Sequence, residues 1–159
     1  MKTVENAGVC IVLFDANGGT VDTASATYPG GEMLGHLPLP VRDGYVFEGW
    51  YDNPNPGLGT LVTVQSVAPE TMMSLFARWS LPDTDPWQPV FRFYSKNYRG
   101  HFYTMDPVES ATLMCTNPNW KYEGIAYYAA RTRQEGTVPL TASTRKTTAG
   151  TSTRSTRRK

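Results

Sequence analysis

Short apolar runs, separated by glycine and proline, dominate the first half of the chain. Residues 9–14 are apolar and rich in β-branched side chains, and the run stops at residues 15–19, where Asn17 tolerates positive φ. Prolines and glycines between residues 28 and 40 exclude a long helix and predict an irregular crossing segment. Further strands are predicted at residues 44–51, 60–64 and 72–79. Four short strands with this punctuation indicate one small, mainly β module.

Alternation within these strands assigns side chains to faces. It places Phe47 and Trp50 on opposite faces of the second strand, and it makes Leu61 the apolar anchor of the third. A polar, proline-bearing stretch at residues 81–88 predicts a linker. The first module therefore covers residues 1–80.

Residues 89–130 predict a second unit, made of a hairpin, a short helix and a strand. Asp106 at the N-cap, Pro107 at the first helical position and Glu109 at the third form a helix start. The helix is expected to end near Cys115, before the prolyl turn at residues 117–119. Its buried stripe is predicted to hold Val108, Ala111 and Cys115. The flanking strands are predicted at residues 89–94, 101–104 and 124–129. The fold class is thus mainly β, of the α+β type.

Residues 131–159 differ sharply in composition from the rest of the chain. They carry eight Lys/Arg and one acid, a net charge of +7, whereas residues 1–130 carry seven Lys/Arg and thirteen acids, a net charge of −6. The tail has too few apolar residues to offset its ordering cost, so it is predicted to be disordered. Such a tail favours an anionic partner, although a passive linker is an equal alternative. The polyanion-binding candidates are Arg145, Lys146, Arg154, Arg157, Arg158 and Lys159.

Candidate catalytic chemistry is sparse. Cys10 and Cys115 are too far apart for a CxxC motif, and two buried thiols are favoured over a long-range disulfide bond. His101 is more simply explained by bonding its own turn or packing under Trp120 than as a general base. No serine has a nucleophile-elbow context, and the spacing of the acids singles out no pair for glycoside hydrolysis. We therefore expect no enzyme activity, no cofactor and no metal.

Aromatic residues are dense between residues 94 and 128, and aromatic faces with polar edges suit sugar rings. The alternative is that so small a unit builds its core from aromatics. The predicted ligand-binding set is Arg92, Tyr94, His101, Tyr103, Trp120, Tyr122 and Glu123.

The first module resembles the internalin B-repeat, also called the Listeria–Bacteroides repeat, of bacterial surface proteins. The resemblance covers residues 12–79 and rests on VLFDANGG from residue 12, LPLP from residue 37 with Arg42, GYVFEGWY from residue 44 and LFARW from residue 75. It implies a β-grasp-like fold outside the cell, serving as a stalk or adhesion module without catalysis.

Residues 89–128 resemble a repeat of unknown function found in secreted bacterial hydrolases and surface proteins. The resemblance rests on VFRFY from residue 90, HFYT from residue 101, Glu109 and WKYEGIAYY from residue 120. In relatives the unit recurs, and a lone repeat unit needs neighbours to bury its apolar face. Either the chain is a truncated gene product, or this copy packs on the first module or on another chain, which includes self-association.

These features favour a non-catalytic pair of modules at the cell envelope or outside the cell, for adhesion, spacing or recognition of cell-wall glycan or another anionic surface polymer. One alternative is an accessory fragment of a secreted glycan hydrolase, and another is a nucleic-acid binder acting through the basic tail. No run of about 18 apolar residues predicts a membrane span. Residues 1–8 show no apolar signal segment, so the chain is expected either to be a piece of an exported protein or to stay inside the cell.

Overall fold

The structure is a computed structural model that describes residues 8–132 and residue 135. The predicted disorder of the tail and its polyanion-binding residues therefore fall outside the described residues. Along the chain, the described part forms β1 (Val9–Asp15), β2 (Ser25–Pro29), β3 (Val46–Tyr51), β4 (Leu61–Val62), β5 (Met73–Ser80), β6 (Trp87–Ser95), β7 (Gly100–Thr104), α1 (Pro107–Thr116) and β8 (Lys121–Ala130).

The strands form two sheets, which confirms the mainly β fold class. The first sheet has the order β2-β1-β5-β3-β4, with β1 and β5 parallel and every other pair antiparallel. β1 and β5 form a parallel pair between antiparallel neighbours, and the helix packed on this sheet, α1, comes from outside the first module. The second sheet is antiparallel, with the order β7-β6-β8.

β1 follows the alternation that its sequence predicts. Cys10, Val12 and Phe14 point into the core, while Ile11 and Leu13 lie on the exposed face. The predicted turn after it is confirmed, with Asn17 at φ 46° and Gly18 at φ 87°. The Asn17 side chain donates from Nδ2 to the Ala77 carbonyl at 3.1 Å, which ties this turn to β5.

The face assignment within β3 was wrong. Phe47 and Trp50 are both buried in the same core, with ring centroids 5.6 Å apart. The cause is a bulge between Phe47 and Gly49, which adds one residue and reverses the alternation beyond it. Trp50 is fully buried, and its Nε1 donates to the Pro38 carbonyl at 2.9 Å.

The third predicted strand is shorter than expected, and a polar strand was missed. β4 contains only two residues, and Val62 and Val64 are buried whereas Leu61 is half-buried, so Leu61 is not the anchor. The strand stops because the Val64 N–H donates to a helix carbonyl instead of a neighbouring strand. β2 escaped detection because its SATYP sequence has little apolar content.

The helix α1 begins and ends where the sequence predicts. The Asp106 side chain accepts from the backbone N–H groups of Val108 and Glu109, Pro107 opens the helix, and Asn117 is the C-cap. Its buried face was only partly predicted: Ser110, Ala111, Met114 and Cys115 are buried, but Val108 is 68% exposed. Val108 lies in the first turn of the helix, two turns before Cys115.

The sheet that α1 covers belongs to the first module. α1 packs against β3, and Ala111 and Cys115 share one core with Val12, Trp50 and Leu75. The Leu37 N–H donates to the Cys115 carbonyl at 2.7 Å and the Val64 N–H to the Met114 carbonyl at 2.9 Å. The last carbonyls of a helix lack partners within the helix, so these bonds satisfy them. Of the arrangements that the sequence left open for the lone repeat unit, the structure has the one in which it packs on the first module.

The two cysteines are free buried thiols, as the sequence favoured. Both belong to the core between α1 and the first sheet.

We expect residues 89–130, expressed alone, to lack a cooperative unfolding transition. Their helix would expose Ala111 and Cys115, which are buried in the core of the first sheet. Differential scanning calorimetry of the isolated segment tests this. A sharp thermal transition would show that the segment folds without its partner.

Candidate functional site

One face of the second sheet gathers polar and aromatic side chains. In the antiparallel register Tyr94 lies opposite His101 and Arg92 opposite Tyr103, and directly opposed residues share a face. The Tyr94 and His101 rings have centroids 5.0 Å apart, and the His101 and Tyr103 rings 6.3 Å apart. The first two strands of this sheet therefore supply a row of three rings.

β8 completes the row through two bulges. Between Tyr122 and Gly124 it holds the extra residue Glu123, and Gly124 adopts φ 101°, which favours glycine. The bulge directs the Glu123 carboxylate to the centre of the face. Beyond the second bulge, the Tyr127 ring lies 6.3 Å from that of Tyr103.

Glu123 contacts both Arg92 and His101. Its Oε2 lies 2.9 Å from Arg92 Nε and 3.2 Å from His101 Nε2. The Arg92 contact is an ion pair rather than an aligned hydrogen bond, because the buried Nε–H finds no acceptor in suitable geometry among the described residues. The His101 contact becomes an ion pair when the imidazole is protonated. We call the group made of Arg92, Tyr94, His101, Tyr103, Glu123 and Tyr127 the Glu123 cluster.

The cluster is open to solvent. Tyr103 is 41% and Tyr127 40% exposed. The Glu123 side chain, at 25%, is less exposed than those of its two partners, which are both at 42%. The carboxylate is therefore held beneath a rim of aromatic and cationic groups.

The remaining two predicted ligand-binding residues point to the opposite face. Trp120 stacks on Tyr98 with centroids 5.5 Å apart and contacts Phe102, so His101 does not pack under it. Tyr122 packs against Phe93 at 5.2 Å, and its burial, with a smaller contribution from nearby Tyr51, raises the pKa of its phenol. The predicted set is thus divided into five residues on the open face and two behind it.

Residues 75–156 match DUF5648, a domain of unknown function. The chain belongs to this family. Residues 11–78 match the Listeria-Bacteroides repeat domain, which confirms the resemblance stated for the first module. No curated protein matches the chain. Listeria-Bacteroides repeats occur in surface or secreted proteins, and residues 11–78 are a repeat of this kind.

The DUF5648 match begins inside β5, a central strand of the first sheet, and it includes α1 and the whole second sheet. The Glu123 cluster lies entirely within the DUF5648 segment. The DUF5648 segment shares a core with the Listeria-Bacteroides repeat through α1. The repeat contributes no residue to the cluster.

Within residues 8–132 and 135, no group of three or more His, Cys, Asp or Glu side chains is placed to hold a metal ion. No helix in the described part of the chain is long and apolar enough to cross a membrane.

Tyr127 is the cluster member that the predicted set omitted. It was part of the aromatic density, but nothing in the alternation of residues 120–128 places it beside Tyr103. The usable signal is the Glu-Gly pair at 123–124, because a glycine inside a strand pattern marks a bulge that changes the register.

Proposed function

We propose that the chain is a non-catalytic module that recognises a cell-surface glycan through the Glu123 cluster. The observation that carries the proposal is the exposure of Tyr103 and Tyr127 beside a fixed arginine and carboxylate. Aromatics that served only as core would be covered, as Phe93 is. Four rings follow one another at 5.0 to 6.3 Å along an open sheet face, which suits the successive rings of a polysaccharide.

The polar groups of the cluster suit hydroxyl recognition. A carboxylate accepts hydrogen bonds from sugar hydroxyls, and a guanidinium donates in a fixed plane. The Tyr103 and Tyr127 hydroxyls have no hydrogen-bond partner among the described residues, so both are available to a ligand. A ligand therefore meets donors and acceptors without displacing the internal bonds of the protein.

The same geometry favours binding over catalysis. Glycoside hydrolysis by the common mechanisms uses two carboxyl groups on either side of the scissile bond. Glu123 is the one carboxylate of the cluster, and Arg92 and His101 both contact it. A single carboxylate lacks the second carboxyl group that these mechanisms need, which supports a module without enzyme activity.

Replacing both Tyr103 and Tyr127 by alanine is expected to reduce retention on purified bacterial cell walls about tenfold at moderate salt, because two exposed stacking surfaces are lost. Pulldown of the full chain by insoluble peptidoglycan, with the bound fraction measured over a range of wall concentrations, provides the readout. Moderate salt suppresses non-specific electrostatic attraction between the basic tail and the cell wall.

The matched control is Tyr45→Ala. Tyr45 is 39% exposed, close to Tyr103 and Tyr127, but it lies in the first segment under the Arg42 guanidinium. Its loss should leave retention unchanged. Equal retention of the double variant and the unaltered chain would contradict recognition through the cluster, as would a lack of retention of the unaltered chain.

A further inference from the structure

A cleft of about 690 Å³, lined by both polar and apolar side chains, opens between the two sheets, beside one end of the Glu123 cluster. One wall comes from the loop after β4 and includes Thr63, Gln65 and Ser66. The other comes from the end of β6 and the start of β8 and includes Lys96 and Lys121. The cleft therefore exists only where the Listeria-Bacteroides repeat and the DUF5648 segment meet.

The charge of this cleft is opposite in sign to the net charge of residues 1–130. No residue lining it is acidic, and it holds two of the seven cationic residues among residues 1–130, which carry a net charge of −6. Asn97, Asn119 and Gln65 supply amides in the same lining. Ammonium groups can only donate hydrogen bonds, so a group that enters between them must be an acceptor, preferably an anion.

Internal hydrogen bonds fix the walls. Gln65 Nε2 donates to the Pro118 carbonyl at 2.7 Å, which connects the two sides, and Asn97 Nδ2 donates to Asn119 Oδ1 at 2.7 Å. Neither lysine takes part in an ion pair or hydrogen bond with the described residues. The cleft is thus formed before any ligand binds, and its two cationic groups remain available.

Tyr94 connects the cleft to the Glu123 cluster. It lines the cleft, lies opposite Lys121 in the strand register, and has its ring 5.0 Å from that of His101. We propose that the ligand is an acidic polysaccharide whose sugar rings lie along the Glu123 cluster and whose anionic group enters the cleft between Lys96 and Lys121. This inference rests on the proposed function, because the cluster must hold the sugar rings for the cleft to receive the charge.

The test is a titration of the full ¹⁵N-labelled chain with an oligogalacturonate, and with a neutral cello-oligosaccharide of the same length, followed by NMR. The neutral oligomer should shift only amides around the Glu123 cluster, whereas the acidic one should also shift Asn97, Asn119 and Lys121. We expect the acidic oligomer to bind about tenfold more tightly or better. A parallel titration with teichoic acid shows whether a phosphodiester replaces the carboxylate.

The double variant Lys96→Gln/Lys121→Gln should lower the affinity for the acidic oligomer to that of the neutral one. Arg131→Gln controls for the loss of one positive charge outside the cleft, since the Arg131 backbone N–H bonds to Pro86 at the opposite end of β6. Residues 132–159 of the basic tail are the same in every variant, so their contribution to the affinity cancels in the comparison.

Equal affinity for both oligomers, or an acidic preference that survives the lysine substitutions, would overturn the anionic cleft. The proposed function would still hold in that case if Tyr103→Ala/Tyr127→Ala lowered the affinity for the neutral oligomer. If neither oligomer binds and teichoic acid does not bind, both the anionic cleft and the proposed function are overturned. A response to the lysine substitutions with either anionic polymer supports the inference and identifies the anion.

Discussion

Replacing Ala111 by aspartate is expected to lower the free energy of unfolding of the whole chain by about 3–5 kcal/mol, because it leaves an unpaired charge in an apolar core. Ala111 is 4% exposed and belongs to the core that α1 shares with the first sheet. Urea unfolding followed by tryptophan fluorescence and by far-UV circular dichroism provides the measurement. The fluorescence follows both sheets, since Trp50 and Trp79 lie in the first sheet and Trp87 in the second.

The control is Val108→Asp on the same helix. Val108 is 68% exposed and lies in the first turn, where a negative charge is favourable, so its replacement should change stability by no more than about 0.5 kcal/mol. Both substitutions introduce aspartate into the same helix. A difference between them therefore reports on the packing of α1 against the first sheet and not on helix propensity. If Ala111→Asp left the urea midpoint of the fluorescence transition unchanged, α1 would not be part of the first sheet's folding unit.

Local signals in the sequence predict the local elements well. The apolar run of β1, the turn at Asn17 and the Asp106 cap each depend on residues within a few positions of one another, and the structure has all three. Such features are set by backbone sterics and by bonds to neighbouring N–H groups. They need no knowledge of the rest of the fold.

Register and docking could not be predicted in the same way. The bulges at Glu48 and Glu123 each add one residue to a strand, and strict alternation then assigns every later side chain to the wrong face. Trp50 therefore lies beside Phe47 rather than opposite it.

The candidate site shows the same limit. Its residue types were predicted from aromatic density, but their division between two faces depends on pairing between strands that are distant in sequence. Trp120 and Tyr122 lie only one to three positions from Glu123, yet they face the opposite side of the sheet. The docking of α1 depends on carbonyls at Met114 and Cys115 finding donors some 50 to 80 positions earlier in the chain, at Val64 and Leu37. No local pattern encodes such a pairing.

The stability of the chain is expected to fall steeply above pH 9 because of Cys115. Burial raises the pKa of this thiol from about 9 to about 12 in the folded state. Below pH 9 the thiol is protonated in both states, so its full contribution is present. Between pH 9 and 12 the unfolded chain releases a proton that the folded chain retains, which favours unfolding by up to about 1.4 kcal/mol per pH unit.

Comparison with Cys115→Ala isolates this contribution, since alanine cannot titrate while the other groups are unchanged. At pH 8, under reducing conditions, we expect the variant to be less stable by about 1 kcal/mol because it leaves a small cavity. As the pH rises toward 11, the unaltered chain should lose this advantage and become the less stable of the two. Burial also raises the pKa of Tyr28 and Tyr122, but those phenols are common to both proteins and cancel in the difference. Urea unfolding at pH 8, 9, 10 and 11 measures that difference. A value that stays constant with pH would mean that Cys115 reaches solvent when the chain is folded, and hence that α1 leaves the first sheet readily.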